Sequence, residues 1–279
     1  MNDLARKRER LLSELAGYGS CAVAFSGGVD SAVVAKAAQL SLGKNAVAVT
    51  GVGEALAAGE LNEARKIAGL IGIRHLERAT EELARPGYVE NSPTRCYHCK
   101  TELYTHLKQV ADELGMAVIV NGANVDDLGD YRPGMQAARE YQVRSPLAEC
   151  GFTKQNVRDL AAEWKLPVWD KPATPCLASR IAYGQQVTPE RLRMIDDAEQ
   201  HLRTLGLREV RVRYHEGDLA RIEVPVAAIS KIADDATREA LVARLHQLGF
   251  KFVTLDLAGF RSGSLNTLVP LESLLNARA

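Results

Sequence analysis

The sequence has no excess of charge of either sign. Its 279 residues carry 35 Lys+Arg and 35 Asp+Glu, a formal net charge of zero. That argues against non-specific clinging to nucleic acid or to an anionic membrane surface, although a local basic patch stays open. No run approaches the ~18 consecutive apolar residues of a membrane-spanning helix. There is no internal repeat and no low-complexity tract. Met1 to Arg10 leads straight into an amphipathic pattern with no apolar signal core, so a cytoplasmic protein is expected. The five cysteines, Cys21, Cys96, Cys99, Cys150 and Cys176, are odd in number and unevenly spaced. In such a chain they suggest metal or catalytic work more than a disulfide framework. What remains is ordinary: 46% hydrophobic and 25% charged residues exclude disorder, and the length suits one large or two modest domains.

Periodicity gives the organisation. Residues 2–17 place Leu4, Leu11, Leu12 and Leu15 on one helical stripe. Strands are expected at 21–25, 45–52, 73–76 and 116–120, with a short fifth at 144–147. Helices are expected up to about Leu42 and over 57–71, 97–114 and 153–164, the last capped by Thr153. Strands alternating with helices of this length imply a parallel sheet with helices on both faces. The pattern changes after Pro167. Residues 167–187 read as an ordered functional loop, and Thr188-Pro189 opens a helix to about Leu205. Strands at 210–214 and 220–224, a helix over 234–248 and a strand at 250–257 then make a smaller α+β domain with an antiparallel sheet. The expected division is a first domain over 1–170 and a substrate and oligomerisation domain over 171–279, with the boundary between about 165 and 188.

Ser26-Gly-Gly-Val-Asp-Ser31 lies between a buried strand and a helix. Gly27 and Gly28 can take positive φ and let backbone N–H groups approach a ligand. With the hydroxyls of Ser26 and Ser31 and the helix N-terminus they make an anion site. The loop lacks the Gly-Lys-Ser/Thr of a Walker motif. Asp30 would repel a phosphate unless Mg²⁺ lies between them. Residues 121–134 follow the fourth strand, at the carboxyl end of a parallel sheet, where open α/β sheets bind ligands. There Asn124, Asp126, Asp127 and Asp130 can contact ribose or metal, and Arg132 phosphate. In the second half, Arg180, Arg211 with Arg213, and Arg261 are candidate anion contacts. Arg211 and Arg213, two apart on a strand, face one side as a fork for phosphate or carboxylate.

Cys96 and Cys99 stand three apart at a helix start, where both thiols can reach one metal ion or cluster. The helix N-terminus and Arg95 favour thiolate there. Cys176 sits in the loop 174–180. Two cysteines on one turn and one distant can hold three irons of a [4Fe–4S] cluster and leave the fourth open. A Zn²⁺ site is the competing reading, with His98 or Cys150 as fourth ligand. Cys21 and Cys150 read as structural.

The phosphate-loop string resembles the PP-loop of the ATP pyrophosphatase superfamily, whose members adenylate a substrate oxygen and release pyrophosphate. Over nearly the whole chain, the sequence resembles the LarE family of ATP-dependent sulfur transferases. The resemblance rests on Ser26–Ser31, Arg95–Lys100, Gly122–Gly134, Cys176–Gly184, Val210–Arg213 and Leu255–Gly263. It implies ATP, Mg²⁺ and a small-molecule nucleotide substrate. A carboxylate of pyridinium-3,5-biscarboxylic acid mononucleotide would be adenylated and made a thiocarboxylate, in nickel-pincer nucleotide synthesis. Cys176 matches the family's sulfur-bearing cysteine, and Glu199, Arg211 and Arg213 its substrate neighbourhood. The resemblance also implies a homo-oligomer and a sulfide or other sulfur donor. Of the family's two versions, Cys96, Cys99 and Cys176 match the one with a [4Fe–4S] cluster. A tRNA thiolase, an ammonia-dependent amidating synthetase and a non-enzymatic nucleotide-binding module are the alternatives. The zero net charge counts against the first, and the second leaves three cysteines idle.

Overall fold

A computed structural model describes residues 3–128 and 133–261. In chain order the main elements are α1 (Asp3–Gly17), β1 (Cys21–Ala24), α2 (Val29–Leu42), β2 (Ala46–Val52), α3 (Glu60–Ile71), β3 (Arg74–Ala79), α4 (Pro86–Val89), α5 (Arg95–Leu114), β4 (Val118–Val120), α6 (Pro133–Glu140), α7 (Pro146–Glu149), α8 (Lys154–Glu163), α9 (Pro189–Thr204), β5 (Arg211–His215), β6 (Leu219–Glu223), α10 (Ile229–Ala233), α11 (Asp235–Gln247) and β7 (Phe252–Leu255). They fall into two compact units. One comprises Met1–Glu82 with Cys96–Thr174, the other Leu83–Arg95 with Pro175–Ala279. Among the described residues no helix is long and apolar enough to cross a membrane.

The first unit is built on a four-stranded sheet in the order β3-β2-β1-β4, with every pairing parallel. Strand side chains alternate, so each strand feeds two faces. Cys21 and Val23 of β1, with Ala46 and Ala48 of β2, join one core cluster with residues of α1, α2 and α8. Ala22, Val47 and Val49 join the other, with Tyr104, Leu107 and Val110 of α5. This is the α/β architecture expected, with helices on both faces. The strand expected at 144–147 does not form. Arg144 makes an isolated bridge to Val120, and α7 starts at once with Pro146 at its first position. Proline lacks the N–H of a ladder and presets a helical φ, so the chain turns there.

The second unit carries the three-stranded sheet β5-β6-β7. β5 and β6 pair antiparallel, as expected of the turn at 215–218. β6 and β7 pair parallel, so the sheet is mixed rather than antiparallel. The chain between them passes through α10 and α11, long enough to return to the same end of the sheet, as a parallel crossover requires. Residues 83–95, which include α4 and end on the first residue of α5, belong to this unit although the rest of α5 does not.

Candidate active site

In the first unit, β1 delivers the chain to the Ser26–Ser31 turn, and α2 follows. Gly27 has φ +72°, and a Cβ there would lie 2.9 Å from the Ala64 Cα of α3. Both the conformation and the close approach demand glycine. Gly28 differs from expectation: its φ is −76°, and it is the extended N-cap of α2. The turn needs only one left-handed residue. The Ser31 hydroxyl donates to the Gly28 carbonyl at 3.0 Å and accepts from the Ser26 amide at 3.2 Å. The Ser26 hydroxyl accepts from the Gly28 amide at 3.3 Å. The turn is thus held open around the first-turn N–H groups of α2, whose dipole and donors are suited to an anion.

The base of the loop is pinned separately. Thr50 on β2 donates to the Phe25 carbonyl at 2.7 Å. Its hydroxyl is 2.8 Å from His75 Nε2. Because the Thr50 proton goes to Phe25, the imidazole must donate through Nε2–H. Burial pushes the His75 pKa down, which favours that neutral form.

Asp30 projects from the first turn of α2. It accepts from Asn124 Nδ2 at 3.1 Å and forms an ion pair with Lys154 Nζ. Asn124 is buried. Its side chain caps the turn Val125–Asp127, and the Asp127 carboxylate accepts from the Asn124 amide in return. Asp126 accepts from the Lys154 amide at 2.8 Å. A Cβ on Gly122 would lie 2.8 Å from the Ser31 nitrogen, so only glycine lets the loop after β4 press on the start of α2. Ser26, Gly27, Gly28, Asp30, Ser31, Asn124 and Asp127 therefore converge at the carboxyl ends of β1 and β4. Arg132 and Asp130 lie outside the described residues. Lys154 is the member sequence reasoning missed. A lysine at the first position of a helix opposes the macrodipole, and that was the available signal.

Cys96 is exposed and Cys99 half-buried on the first turn of α5, where residues three apart are neighbours. They offer two soft ligands to one metal. Among the described residues, no group of three His, Cys, Asp or Glu side chains is gathered to hold a metal ion. Cys21 and Cys150 lie in the first unit's core. Burial pushes the Cys21 thiol up to about 12 and raises that of Cys150.

In the second unit, Cys176 is half-buried at the start of a short turn, Leu177–Arg180. Arg180 is fully buried. Its Nη1 donates to the Cys176 carbonyl at 3.0 Å and to that of Pro175. Its other nitrogens form a bidentate pair with Glu199 at 2.9 and 3.1 Å. Glu199, fully buried on α9, also accepts from the Val212 amide and from Arg203. The pair grips the backbone on both sides of the Cys176 α-carbon. Arg211 and Arg213 leave β5 two residues apart, yet their exposures are only 7% and 6%, so the strand face is no solvated one. Arg213 pairs with Glu223 at 2.8 Å and donates to the Ser179 carbonyl at 3.1 Å. Arg211 donates to the Val210 carbonyl and lies over the Phe260 ring, 5.2 Å from its centroid. Burial, then the neighbouring Arg180, lowers the Arg211 pKa to about 10. Glu199 acts on it in the opposite sense. Arg261 is exposed.

No family profile matches the chain. It is 46% identical over 266 residues to an uncharacterised protein of Synechocystis sp., covering 95% of this chain and 99% of the relative. It is 38% identical over 267 residues to the pyridinium-3,5-bisthiocarboxylic acid mononucleotide synthase of Lactiplantibacillus plantarum, covering 95% and 96%. A tRNA-specific 2-thiouridylase of Azorhizobium caulinodans is 31% identical over 212 residues, 61% of this chain and 53% of that one. Matched over nearly the whole length of the second of these, the chain belongs to the family of pyridinium-3,5-bisthiocarboxylic acid mononucleotide synthases, the LarE family.

Proposed function

We propose that this protein is an ATP-dependent sulfur transferase. It adenylates a carboxylate of pyridinium-3,5-biscarboxylic acid mononucleotide and converts it to a thiocarboxylate, in nickel-pincer nucleotide cofactor synthesis. The observation that carries the reading is the full-length match to a synthase of that product, joined to a phosphate cradle without a Walker lysine. The first unit is read as the nucleotide-activating half and the second as the substrate and oligomerisation half of a cytoplasmic homo-oligomer.

A carboxylate is a poor electrophile. Its oxygen attacks the α-phosphorus of ATP, the α–β bond breaks and pyrophosphate leaves. The N–H groups of α2 and the Ser26 and Ser31 hydroxyls would hold the departing phosphates. Lys154 brings a positive charge to the same place. The Asp30 carboxylate would hold Mg²⁺ by exchanging the Asn124 Nδ2 and Lys154 Nζ donors that now meet its two oxygens, and the ion would supply charge neutralisation at phosphate oxygens. A sulfur nucleophile then attacks the acyl adenylate, and AMP leaves. The Arg211 and Arg213 region would receive the substrate's phosphate or second carboxylate. Arg180 and Glu199 fix the backbone that presents Cys176.

Cys96, Cys99 and Cys176 are the ligand set we propose for a [4Fe–4S] cluster, which would supply a sulfide and spare the Cys176 sulfur. If Cys176 itself is the donor, its thiolate bonds to the acyl carbon. Loss of the Cα proton and cleavage of the Cβ–S bond then leave dehydroalanine.

The test is product analysis with ATP, the pyridinium substrate and sulfide under anaerobic conditions. AMP, pyrophosphate and a thiocarboxylate are expected, and ADP with orthophosphate would overturn the reading. Intact-protein mass after turnover separates the sulfur sources: an unchanged mass supports the cluster, and loss of one hydrogen sulfide per chain refutes it. The partial match to a 2-thiouridylase keeps tRNA as the rival substrate. Thiolation of tRNA, without the thiocarboxylate, would establish it instead.

A further inference from the structure

Asn91 is fully buried and has φ +53°, a left-handed conformation that asparagine tolerates better than other residues with a side chain. Its Nδ2 group donates to the carbonyls of Ala182 at 2.8 Å, Gln185 at 3.0 Å and Ile181 at 3.2 Å. Its own carbonyl accepts from the Gly184 amide at 3.2 Å, and the Val89 carbonyl accepts from the Val187 amide at 2.9 Å. Its Oδ1 accepts from Arg95 Nη1. Arg95 is buried as well. It donates to the Ala178 carbonyl at 2.8 Å, and its guanidinium carbon lies 6.0 Å from the Tyr183 ring centroid. Residues 89–95 therefore bind the backbone of 178–187 at six points. The side-chain donors among these, Asn91 and Arg95, are both buried, so their polar groups depend on the carbonyls they reach.

The bound stretch begins two residues after Cys176. Arg180 holds the carbonyls of Pro175 and Cys176 from one side, and Arg95 holds that of Ala178 from another. These bonds all go to backbone, which fixes the α-carbon of Cys176 and leaves the direction of its sulfur to its own χ1. Arg95 is also followed directly by Cys96. The residue that clamps the Cys176 loop is thus peptide-bonded to the first cysteine of the Cys-x-x-Cys pair.

We propose that Asn91 and Arg95 are positioning residues for sulfur transfer: they set the backbone that presents Cys176 and act on the sulfur step, not on adenylation. The inference rests on reading Cys176 as part of the sulfur machinery. Asn91→Ala is the direct variant, and Arg95→Lys is the milder one, keeping charge while losing the planar guanidinium whose Nη1 reaches both Asn91 and Ala178. In anaerobically purified protein, Arg95→Lys is expected to keep ATP–pyrophosphate exchange within twofold while the kcat of thiocarboxylate formation drops about tenfold to a hundredfold, as a misplaced reacting group does. The substrate KM is expected to stay unchanged. Peptide-resolved alkylation by iodoacetamide should show a changed rate at Cys176 and an unchanged rate at Cys150. This last arm needs no substrate, so it still reads the positioning claim if the proposed reaction is wrong. Wild-type transfer with wild-type Cys176 alkylation in Arg95→Lys would overturn the proposal. So would parallel losses of adenylation and transfer with a lowered unfolding midpoint, which mark a purely structural role.

Discussion

Lys154 illustrates what a single side chain contributes at this site. Its ammonium meets Asp30 across 124 positions of sequence, at a helix start where a cation is otherwise unfavourable. Replacing it with alanine should remove one charge-assisted contact, about 1.5–3 kcal/mol. The expected outcome is a tenfold to hundredfold fall in kcat/KM for ATP, seen in pyrophosphate exchange, with an unaltered circular dichroism spectrum. An unchanged ATP dependence would reduce Lys154 to a surface ion pair. Asp30→Asn should abolish exchange altogether while the fold persists. Glu199 acts differently because it and Arg180 are fully buried. Removing one partner of such a pair costs roughly 3–5 kcal/mol, so Glu199→Gln should lower the unfolding midpoint sharply in a thermal melt. Residues of the first kind were legible where the motif is contiguous: Ser26 to Ser31 announce themselves in six positions. Lys154 was not, since nothing local to Thr153-Lys154 reports that Asp30 stands opposite.

Elements show the same division between local and distant causes. The alternation of strands and helices over the first half of the chain reads straight from periodicity, because each strand's two faces and each helix's stripe are local patterns. Arg213 is met by Glu223 on the neighbouring strand, and the charges acting on Arg211 come from Arg180 of a turn and from Glu199 and Arg203 of α9. The two-residue spacing therefore revealed their shared side and not their surroundings. The parallel pairing of β7 likewise depends on where α10 and α11 deliver the chain, which composition does not encode. One element contact is sharp enough to test. Gly122 on the loop after β4 admits the backbone of Asp30 and Ser31 within 3 Å of where a Cβ would stand. Gly122→Ala should force the loop off α2 and destabilise by about 1–3 kcal/mol, as overpacking does. The ATP KM should rise with it. Stability loss without a change in ATP affinity would separate that loop from the nucleotide site.

Across the molecule, two half-buried histidines sit in different units, His75 against Thr50 and His215 at the end of β5. Burial is the leading cause of a lowered pKa in both. The unfolded chain therefore binds more protons than the native one below about pH 6.5, and stability rises with pH through that window. Melting midpoints measured between about pH 5 and pH 7 should climb with pH, and His75→Gln should flatten part of the slope. A flat profile would mean that neither imidazole is constrained to be neutral. The discontinuous second unit has a further consequence, for biosynthesis. Asn91 and its acceptors at 181–185 lie about ninety residues apart in sequence, with α5, β4, α6, α7 and α8 emerging between them. During translation the strap leaves the ribosome long before its partner exists. The first unit must then fold around an excursion whose carbonyl acceptors have not yet been made. A gene fragment starting at Pro175 would encode a second unit with its clamp missing, and a single crossover there between relatives would join the clamp of one parent to the acceptors of the other.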